Sequence, residues 1–286
     1  MKTNNAIFVD GHVHIYNCFT LPELLDSAHR NFLALARITG TGPGFTGILM
    51  LAETCSDHWL QQMAVTSANE SSGSSLYTLP WTISLLPDKC SLLATRDTGE
   101  TLYLVAGRQV VTSEGLEVLA LATDKLFDDG EPIVELLAKI RGQGALPVIP
   151  WAVGKWLGKR GKLLSDVLDT ESGKELYLGD NGGRPLFWKN ISHFRQARAM
   201  GIPVLPGSDP LPFKSEPNRI GSFGFQLHGV ISAEHPAKDI RELIRKNKTD
   251  VYTFGDLENP LHFLLNQTRL RMPRHAPRIS VSDVSN

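Results

Sequence analysis

Short apolar blocks that alternate with longer helical patterns restrict the fold of this chain more than any other feature. The blocks Ile48–Leu51, Val118–Ala122 and Pro147–Pro150 are continuously apolar instead of apolar at every second position. Continuous blocks of this kind indicate strands that are covered on both faces, as in parallel sheets flanked by helices. Helical patterns such as Pro22–Arg37 and Pro132–Arg141 lie between the strands. The alternation predicts an α/β fold, and a TIM-like barrel suits it better than two separate domains.

The domain organisation follows from the same alternation. We expect one α/β barrel domain over residues 1–270 with a β-rich excursion near 76–122, where strands predominate and helices are few. The polar stretch Asn69–Ser75 predicts a surface loop before that excursion. Residues 271–286 end in a Ser/Val/Asp string and predict a partly ordered C-terminal tail.

Charge and composition exclude several classes of protein. The chain carries 29 Lys and Arg against 30 Asp and Glu, a net charge of −1. This balance argues against a nucleic-acid-coating protein and against binding to an anionic membrane, because both need a basic surplus. No apolar run reaches the ~18–20 residues that span a bilayer. Three scattered cysteines predict no disulfide framework, so a cytoplasmic location is expected.

The segment Asp10-Gly-His12-Val-His14 carries the strongest chemical signal. It follows the first predicted strand, Ala6–Val9. Side chains two positions apart on a strand point to the same side, so both imidazoles can reach one divalent metal. Asp10 lies on that side as well and is expected to orient one of the rings. The alternative is that both histidines bind backbone groups.

A second candidate follows the second strand, where Asp57-His58 begins a predicted helix. His58 is a candidate metal ligand at the same edge as His12. Asp57 is an N-cap candidate for the helix, and Glu53 is a competing carboxylate at the end of the strand.

Three later strands end in polar residues within turns rich in Gly and Pro, namely Pro150–Lys155, Leu178–Pro185 and Leu205–Pro210. Asp209 is the best carboxylate ligand among them, with an Asp-Pro turn as its alternative role. Asp180 is predicted either to bind metal or to cap the helix near Phe187. Lys155 and Arg184 are candidates for holding an anionic substrate group.

Three tryptophans accompany these turns. Trp151, Trp156 and Trp188 either form a stacking wall for a ring-bearing substrate or pack in the core, and packing is the simpler reading.

Taken in order, these motifs resemble the PHP (polymerase and histidinol phosphatase) family. The resemblance implies a distorted (β/α)7 barrel that holds up to three divalent metals at its C-terminal face and hydrolyses phosphoesters. The segments that match, in chain order, are Asp10-Gly-His12-Val-His14, Asp57-His58, Gly107–Thr112 continuing to Leu121, and Gly207-Ser208-Asp209.

The chain departs from the family pattern at three positions. Gln109 stands where the family has a metal-bridging Glu, Trp151 where it has a His, and Leu211 where it has the last His of the closing motif. The remaining ligands are His12, His14, His58 and Asp209, with Asp180 as a further candidate, and they are enough for one or two metals. Imidazole and carboxylate ligands of this kind suit Zn, Mn or Fe.

The sequence therefore predicts a metal-dependent hydrolase whose small-molecule substrate is expected to be a phosphoester. Asp209 would also act as general base, while Lys155 or Arg184 would stabilise developing negative charge. The alternative is a protein without catalytic activity that binds a ligand or partner at the same pocket. The sequence leaves the substrate and the oligomeric state open.

Overall fold

The structure is a computed structural model that describes residues 5–69, 80–247 and 251–272. The strands are Asn5–Val13 (β1), Thr46–Leu51 (β2), Trp81–Leu85 (β3), Ser91–Arg96 (β4), Thr101–Val105 (β5), Gly107–Val111 (β6), Glu117–Leu121 (β7), Leu146–Pro150 (β8), Tyr177–Asn181 (β9), Val204–Gly207 (β10), Gly224–Gly229 (β11) and Tyr252–Phe254 (β12). The helices are Leu21–Ile38 (α1), Trp59–Asn69 (α2), Ile133–Gly142 (α3), Gly158–Thr170 (α4), Ser192–Ala199 (α5), Pro236–Lys246 (α6) and Pro260–Arg271 (α7). The α/β class is confirmed.

The strands form two mixed sheets. The first has the order β12-β11-β1-β2-β5-β4-β3, and the second has the order β10-β9-β8-β7-β6. In the first sheet β1, β2 and β5 are parallel, and β11 pairs antiparallel with β1. In the second sheet β8, β9 and β10 are parallel, whereas β7 pairs antiparallel with both β6 and β8.

The predicted barrel is wrong, because the strands in the described part of the chain form open sheets and no closed barrel. The block Val118–Ala122 shows the reason: most of it lies in β7, which is antiparallel to both of its neighbours. Burial on both faces makes a strand continuously apolar whichever way its neighbours run, so the pattern carries no information on strand direction.

The β-rich stretch predicted near 76–122 contributes to both sheets. From Trp81 onwards, β3, β4 and β5 form an antiparallel extension of the first sheet, and β6 and β7 begin the second sheet. Residues 76–79, almost all of the predicted loop Asn69–Ser75, and the tail from residue 273 lie outside the described residues. The single-domain assignment stays a prediction.

The core has layers on both sides of β1 and β2. Phe8 and Leu49 pack with Phe32 of α1, whereas Ile7 and Val9 face the second sheet and belong to a cluster with Leu121. A third cluster joins β7, β8 and β9 to α3, α4 and α5. Coverage on both faces is the packing that the continuous apolar blocks predict. In the described residues, no helix is long and apolar enough to span a bilayer.

Two glycines let the sheets approach each other at the carboxyl ends of β1 and β10. A Cβ at Gly11 would lie 2.6 Å from the Pro206 carbonyl oxygen, and one at Gly207 would collide with the backbone nitrogen of His12. The Asp209 N–H donates to the His12 carbonyl at 2.9 Å just beyond this contact. The first sheet therefore brings its histidines directly beside the end of β10.

Candidate metal centre

His12 and His14 converge because the end of β1 is irregular. Asp10 pairs with Leu49 and Val13 with Leu51, so β1 has one residue more than β2 across this step. Such a bulge changes the direction of neighbouring side chains. The two Nε2 atoms lie 3.0 Å apart, and the residues are 4% and 7% exposed. The predicted convergence of the two rings is present in the structure.

Asp209 completes the cluster from the second sheet. It has a positive φ of 45°, a conformation that aspartate tolerates better than most residues. Its Oδ1 lies 3.7 Å from His12 Nε2 and 3.6 Å from His14 Nε2. Asp209 is the second residue after β10, and a left-handed residue at this position turns the chain sharply beside the end of β1.

The spacing of these three donor atoms fits a shared cation. Two ligand atoms at ~2.1 Å from one ion are about 3.0 Å apart at a right angle and about 3.4 Å apart at the tetrahedral angle. The histidine nitrogens match the first value, and the carboxylate oxygen lies slightly beyond the second. In the described part of the chain, one group of side chains could hold a metal ion, and it consists of His12, His14 and Asp209. Three protein ligands leave a coordination position open, as in catalytic sites.

Asn181 at the end of β9 holds Asp209 in place. Its Oδ1 accepts from the Gly183 N–H at 2.6 Å, which fixes the amide so that Nδ2 donates to Asp209 Oδ2. The second oxygen of Asp209 thus remains free to face the histidines. Asn181 is not among the site residues predicted from the sequence, although strand alternation places it on the face opposite to Asp180, its charged neighbour.

Asp10 has a structural role that differs from the predicted one. It is fully buried, and its Oδ1 accepts from the Ser208 N–H while Oδ2 accepts from the Gly221 N–H, both at 2.8 Å. Burial raises the pKa of this carboxyl to about 6, and the hydrogen bonds from Ser208, Gly221 and His12 oppose that shift. Asp10 therefore connects the end of β1 to the end of β10 and to the turn before β11 by binding backbone N–H groups. It does not orient a histidine ring, because the bulge interrupts the strand alternation between Asp10 and the histidines.

Burial also determines the protonation state of His14. Desolvation, reinforced by the neighbouring His12, lowers the pKa of His14 to about 4, and Asp209, Asp57 and the Gln109 side chain oppose the shift. A ring with this pKa is neutral near pH 7. Gln109, which stands where the resemblance expects a bridging Glu, thus contacts His14 as a neutral amide.

His58 does not belong to the cluster. It is exposed just before α2, while the N-terminus of that helix is capped by Glu53, whose Oε1 accepts from the Leu60 N–H at 2.7 Å. Glu53 Oε2 pairs with Arg108 at 2.9 Å. Asp57 accepts from the N–H and hydroxyl of Thr54 and does not cap the helix. These bonds leave Glu53 and Asp57 engaged in local structure.

Asp180 and Arg184 bind each other instead of a metal and a substrate. The two oxygens of Asp180 accept from Arg184 Nε and Nη2 at 2.7 and 2.6 Å, and Arg184 Nη1 donates to the Trp188 carbonyl. Lys155 Nζ lies 3.2 Å from Glu117. Each of the three side chains is thus paired with a residue of opposite charge, and none belongs to the group formed by His12, His14 and Asp209.

A cavity of about 270 Å³ adjoins the cluster at Asp209 and Asn181. Trp151 and Leu211, two of the departures noted above, line it, so the ends of β8, β9 and β10 meet there as the sequence predicts. Trp188 packs edge-on against Trp151 at 5.8 Å, and Trp156 packs against Phe194. The two histidines lie behind Asp209, whose side chain is 19% exposed.

Comparisons with known proteins give a similarity of fold only. No family model matches the chain, and no curated protein matches it. PsfC from Pseudomonas syringae PB-5123 has a TM-score of 0.51 at 13% identity, over 93% of this chain and 99% of that chain. The lesion-specific endonuclease PfuEndoQ from Pyrococcus furiosus scores 0.44 at 12% identity, over 87% of this chain and 57% of the endonuclease. Endonuclease Q with a 27-mer duplex substrate scores 0.42 at 13% identity, with 83% and 57% covered.

These findings correct the family assignment. The resemblance to the PHP family rested on short motifs, and no family model supports it. The described strands form two open mixed sheets where that family has a distorted barrel. Short motifs of His and Asp recur wherever a strand end carries ligating residues, so they predicted a cluster that could hold a metal ion without identifying the family.

Proposed function

We propose that this chain is a metal-dependent hydrolase whose centre is formed by His12, His14 and Asp209. The observation that supports it is the convergence of three ligating atoms, separated by 3.0–3.7 Å, beside a cavity large enough for a substrate. Two imidazoles and one carboxylate suit Zn, Mn or Fe. A divalent ion held by these residues would supply a water whose pKa is lowered towards ~7.

The residues of the chain have distinct tasks in this proposal. His12 and His14 offer Nε2 as ligand atoms and are shielded from bulk water, since they are 4% and 7% exposed. Asp209 contributes Oδ1 as a ligand and stands nearest to the cavity, so it is the residue that can accept a proton from a water molecule there. Asn181 restricts Asp209 to this orientation.

A phosphoester substrate is the finer part of the proposal. Lys155 and Arg184 give it no support, because both are paired with carboxylates elsewhere. The charge of the phosphoryl group would then have to be balanced by the metal itself. Phosphomonoesters and phosphodiesters come first in an activity screen. Carboxylic esters and amides follow, because an activated water molecule can attack them in the same way.

A second candidate function is ligand binding without catalysis at the same cavity. The contact of the neutral Gln109 with His14, and the apolar Trp151 and Leu211 in the cavity wall, favour it. Measurements of the metal content of the purified protein and of its turnover of substrates distinguish the two functions.

The test uses full-length protein purified without chelator and reloaded separately with Zn, Mn or Fe. We expect about one ion per chain and turnover of at least one ester class, with both lost in the His12→Ala/His14→Ala variant. His228→Ala, which removes an exposed histidine of β11, is the matched control and should keep both. Stoichiometric metal without turnover would support the binding protein, and absence of metal from the wild type would refute the proposal.

A further inference from the structure

The cavity that Asp209 borders is also lined by apolar residues that are not metal ligands. Trp151 and Leu211 follow β8 and β10, and Phe263 and Leu270 come from α7. Helix α7 is positioned by Asn259, whose side chain accepts from the Leu261 N–H at 2.8 Å as an N-cap before Pro260. Cavities of about 150 Å³ take up benzene, so 270 Å³ has room for one ring with a substituent.

Asn266 of α7 is a buried polar group in this wall whose hydrogen bonding is incomplete. The residue is 3% exposed, and its Oδ1 has no hydrogen-bond partner in the described part of the chain. An unpartnered buried acceptor costs about 1–3 kcal/mol, so native structures rarely retain one without a reason. The terminal torsion of an asparagine is soft, and a small rotation presents the amide to a group in the cavity.

The charged residues of the wall carry a negative excess. Asp209, Glu216 and Glu258 are opposed by one cation, Arg219, which forms an ion pair with Glu258 and lies 3.7 Å from Glu216. His262 donates a further hydrogen bond to Glu258 at 2.9 Å from the outer side. In the described wall, no cation is left over to balance an anion within the cavity, and burying an unbalanced charge is costly.

We propose that this cavity binds the part of the substrate that does not react, and that it selects an apolar group that bears a hydrogen-bond donor and carries no negative charge. This inference rests on the proposed function, because it takes the reacting bond to lie at the centre formed by His12, His14 and Asp209. Asn266 is the residue that determines specificity, since its amide accepts from the donor. The preferred substrates therefore have an uncharged or cationic apolar group attached to the hydrolysed ester or amide.

The test measures binding of four small probes that share one ring: benzyl alcohol, benzylamine, toluene and phenylacetate. Dissociation constants come from ligand-observed NMR titrations of the wild type, of Asn266→Leu and of the control Gln61→Leu, which removes an exposed amide from α2. We expect benzyl alcohol and benzylamine to bind the wild type at least about tenfold more tightly than phenylacetate. In Asn266→Leu, the dissociation constant of benzyl alcohol should rise about fivefold while that of toluene is unchanged.

The same titrations on His12→Ala/His14→Ala separate this inference from the proposed function. Benzyl alcohol should still bind that variant, so loss of metal and activity would leave the cavity assignment intact. Phenylacetate binding as tightly as benzyl alcohol to the wild type would overturn the inference without recourse to any variant. Absence of binding by any probe, or equal weakening of toluene and benzyl alcohol in Asn266→Leu, would also overturn it.

Discussion

Asp180 and Asp209 are both aspartates at the carboxyl ends of neighbouring strands, yet their surroundings give them different chemistry. Asp180 is held by a bidentate pair with Arg184, four residues further along the chain. Asp209 receives one amide hydrogen bond from Asn181 and directs its other oxygen to two imidazoles. Whether a carboxylate can bind a metal therefore depends on the hydrogen-bond and ion-pair partners that it already has.

Asn181 provides a direct test of this view. Replacing it with Ala removes the hydrogen bond that orients Asp209, so the affinity for Zn should fall by about 10–100-fold while the three ligands remain. Competition with a chromophoric chelator measures the change. Asn190→Ala, which removes an exposed amide, is the control. Equal Zn affinity in Asn181→Ala and the wild type would show that Asp209 needs no support.

The thiols give a prediction that depends on pH. Burial, aided by the nearby Asp124 and Asp88, raises the pKa of Cys90 to about 11, whereas Cys55 is exposed. Because only the thiolate reacts, iodoacetamide at pH 8 should modify Cys90 on the order of 100-fold more slowly than an unperturbed thiol. The rate should rise as pH approaches 11. Peptide mass spectrometry measures it, and modification of Cys90 as fast as Cys55 would contradict the assigned burial.

At the scale of the element, the site depends on how closely β1 and β10 approach. Gly207→Ala would place a methyl group against the His12 backbone nitrogen, which must separate the strands. We expect a loss of about 1–3 kcal/mol in the free energy of unfolding, together with weaker metal binding. Gly142→Ala at the end of α3 meets no neighbouring atom and should stabilise by up to about 1 kcal/mol. Denaturant titration checks both, and a neutral Gly207→Ala would refute the close approach.

The end of α4 is tied to α3 by a buried carboxylate, Glu171, which accepts from Arg141 at 2.6 Å and from Lys174 at 2.8 Å. Burial alone would raise the pKa of Glu171, but these hydrogen bonds outweigh it and lower the pKa below the ordinary 4.5. A lowered carboxyl pKa stabilises the fold above pH 4.5, and this contribution is lost as pH falls through the folded-state value.

Glu171→Gln should therefore lower the free energy of unfolding at pH 7 by about 1.5–3 kcal/mol, with a smaller difference from the wild type in acid. Urea titrations at pH 7 and below pH 4 measure the difference. Glu242→Gln, at an exposed pair with Lys238, should change stability little. A difference between Glu171→Gln and the wild type that stays the same in acid would contradict the assignment.

At the scale of the whole molecule, the sequence supports some conclusions and not others. The α/β class, the helix predicted over Pro22–Arg37 and observed as Leu21–Ile38, and the His12–His14 pair follow from local patterns. The pairing of β1 with β11, more than 200 residues away, has no local signal. The partner of Lys155 also lies outside its local sequence, since Glu117 precedes it by 38 residues, so this ion pair could not be predicted from a local pattern.

The two sheets meet at the cluster, and the cluster has ligands from both of them. His12 and His14 lie at the end of β1 in the first sheet, whereas Asn181 ends β9 and Asp209 follows β10 in the second. An ion bound there would join the sheets at their closest approach. In the proposed function, His12, His14 and Asp209 share this ion.

Anomalous diffraction at the Zn absorption edge, on crystals of the Zn-loaded protein, shows whether the three residues bind one ion. We expect one peak at about 2.0–2.2 Å from Nε2 of both histidines and from an oxygen of Asp209. The peak should be missing from crystals of His12→Ala/His14→Ala grown in the same way. A peak at another location, such as His58, or a wild-type map without a peak at the cluster would contradict this expectation.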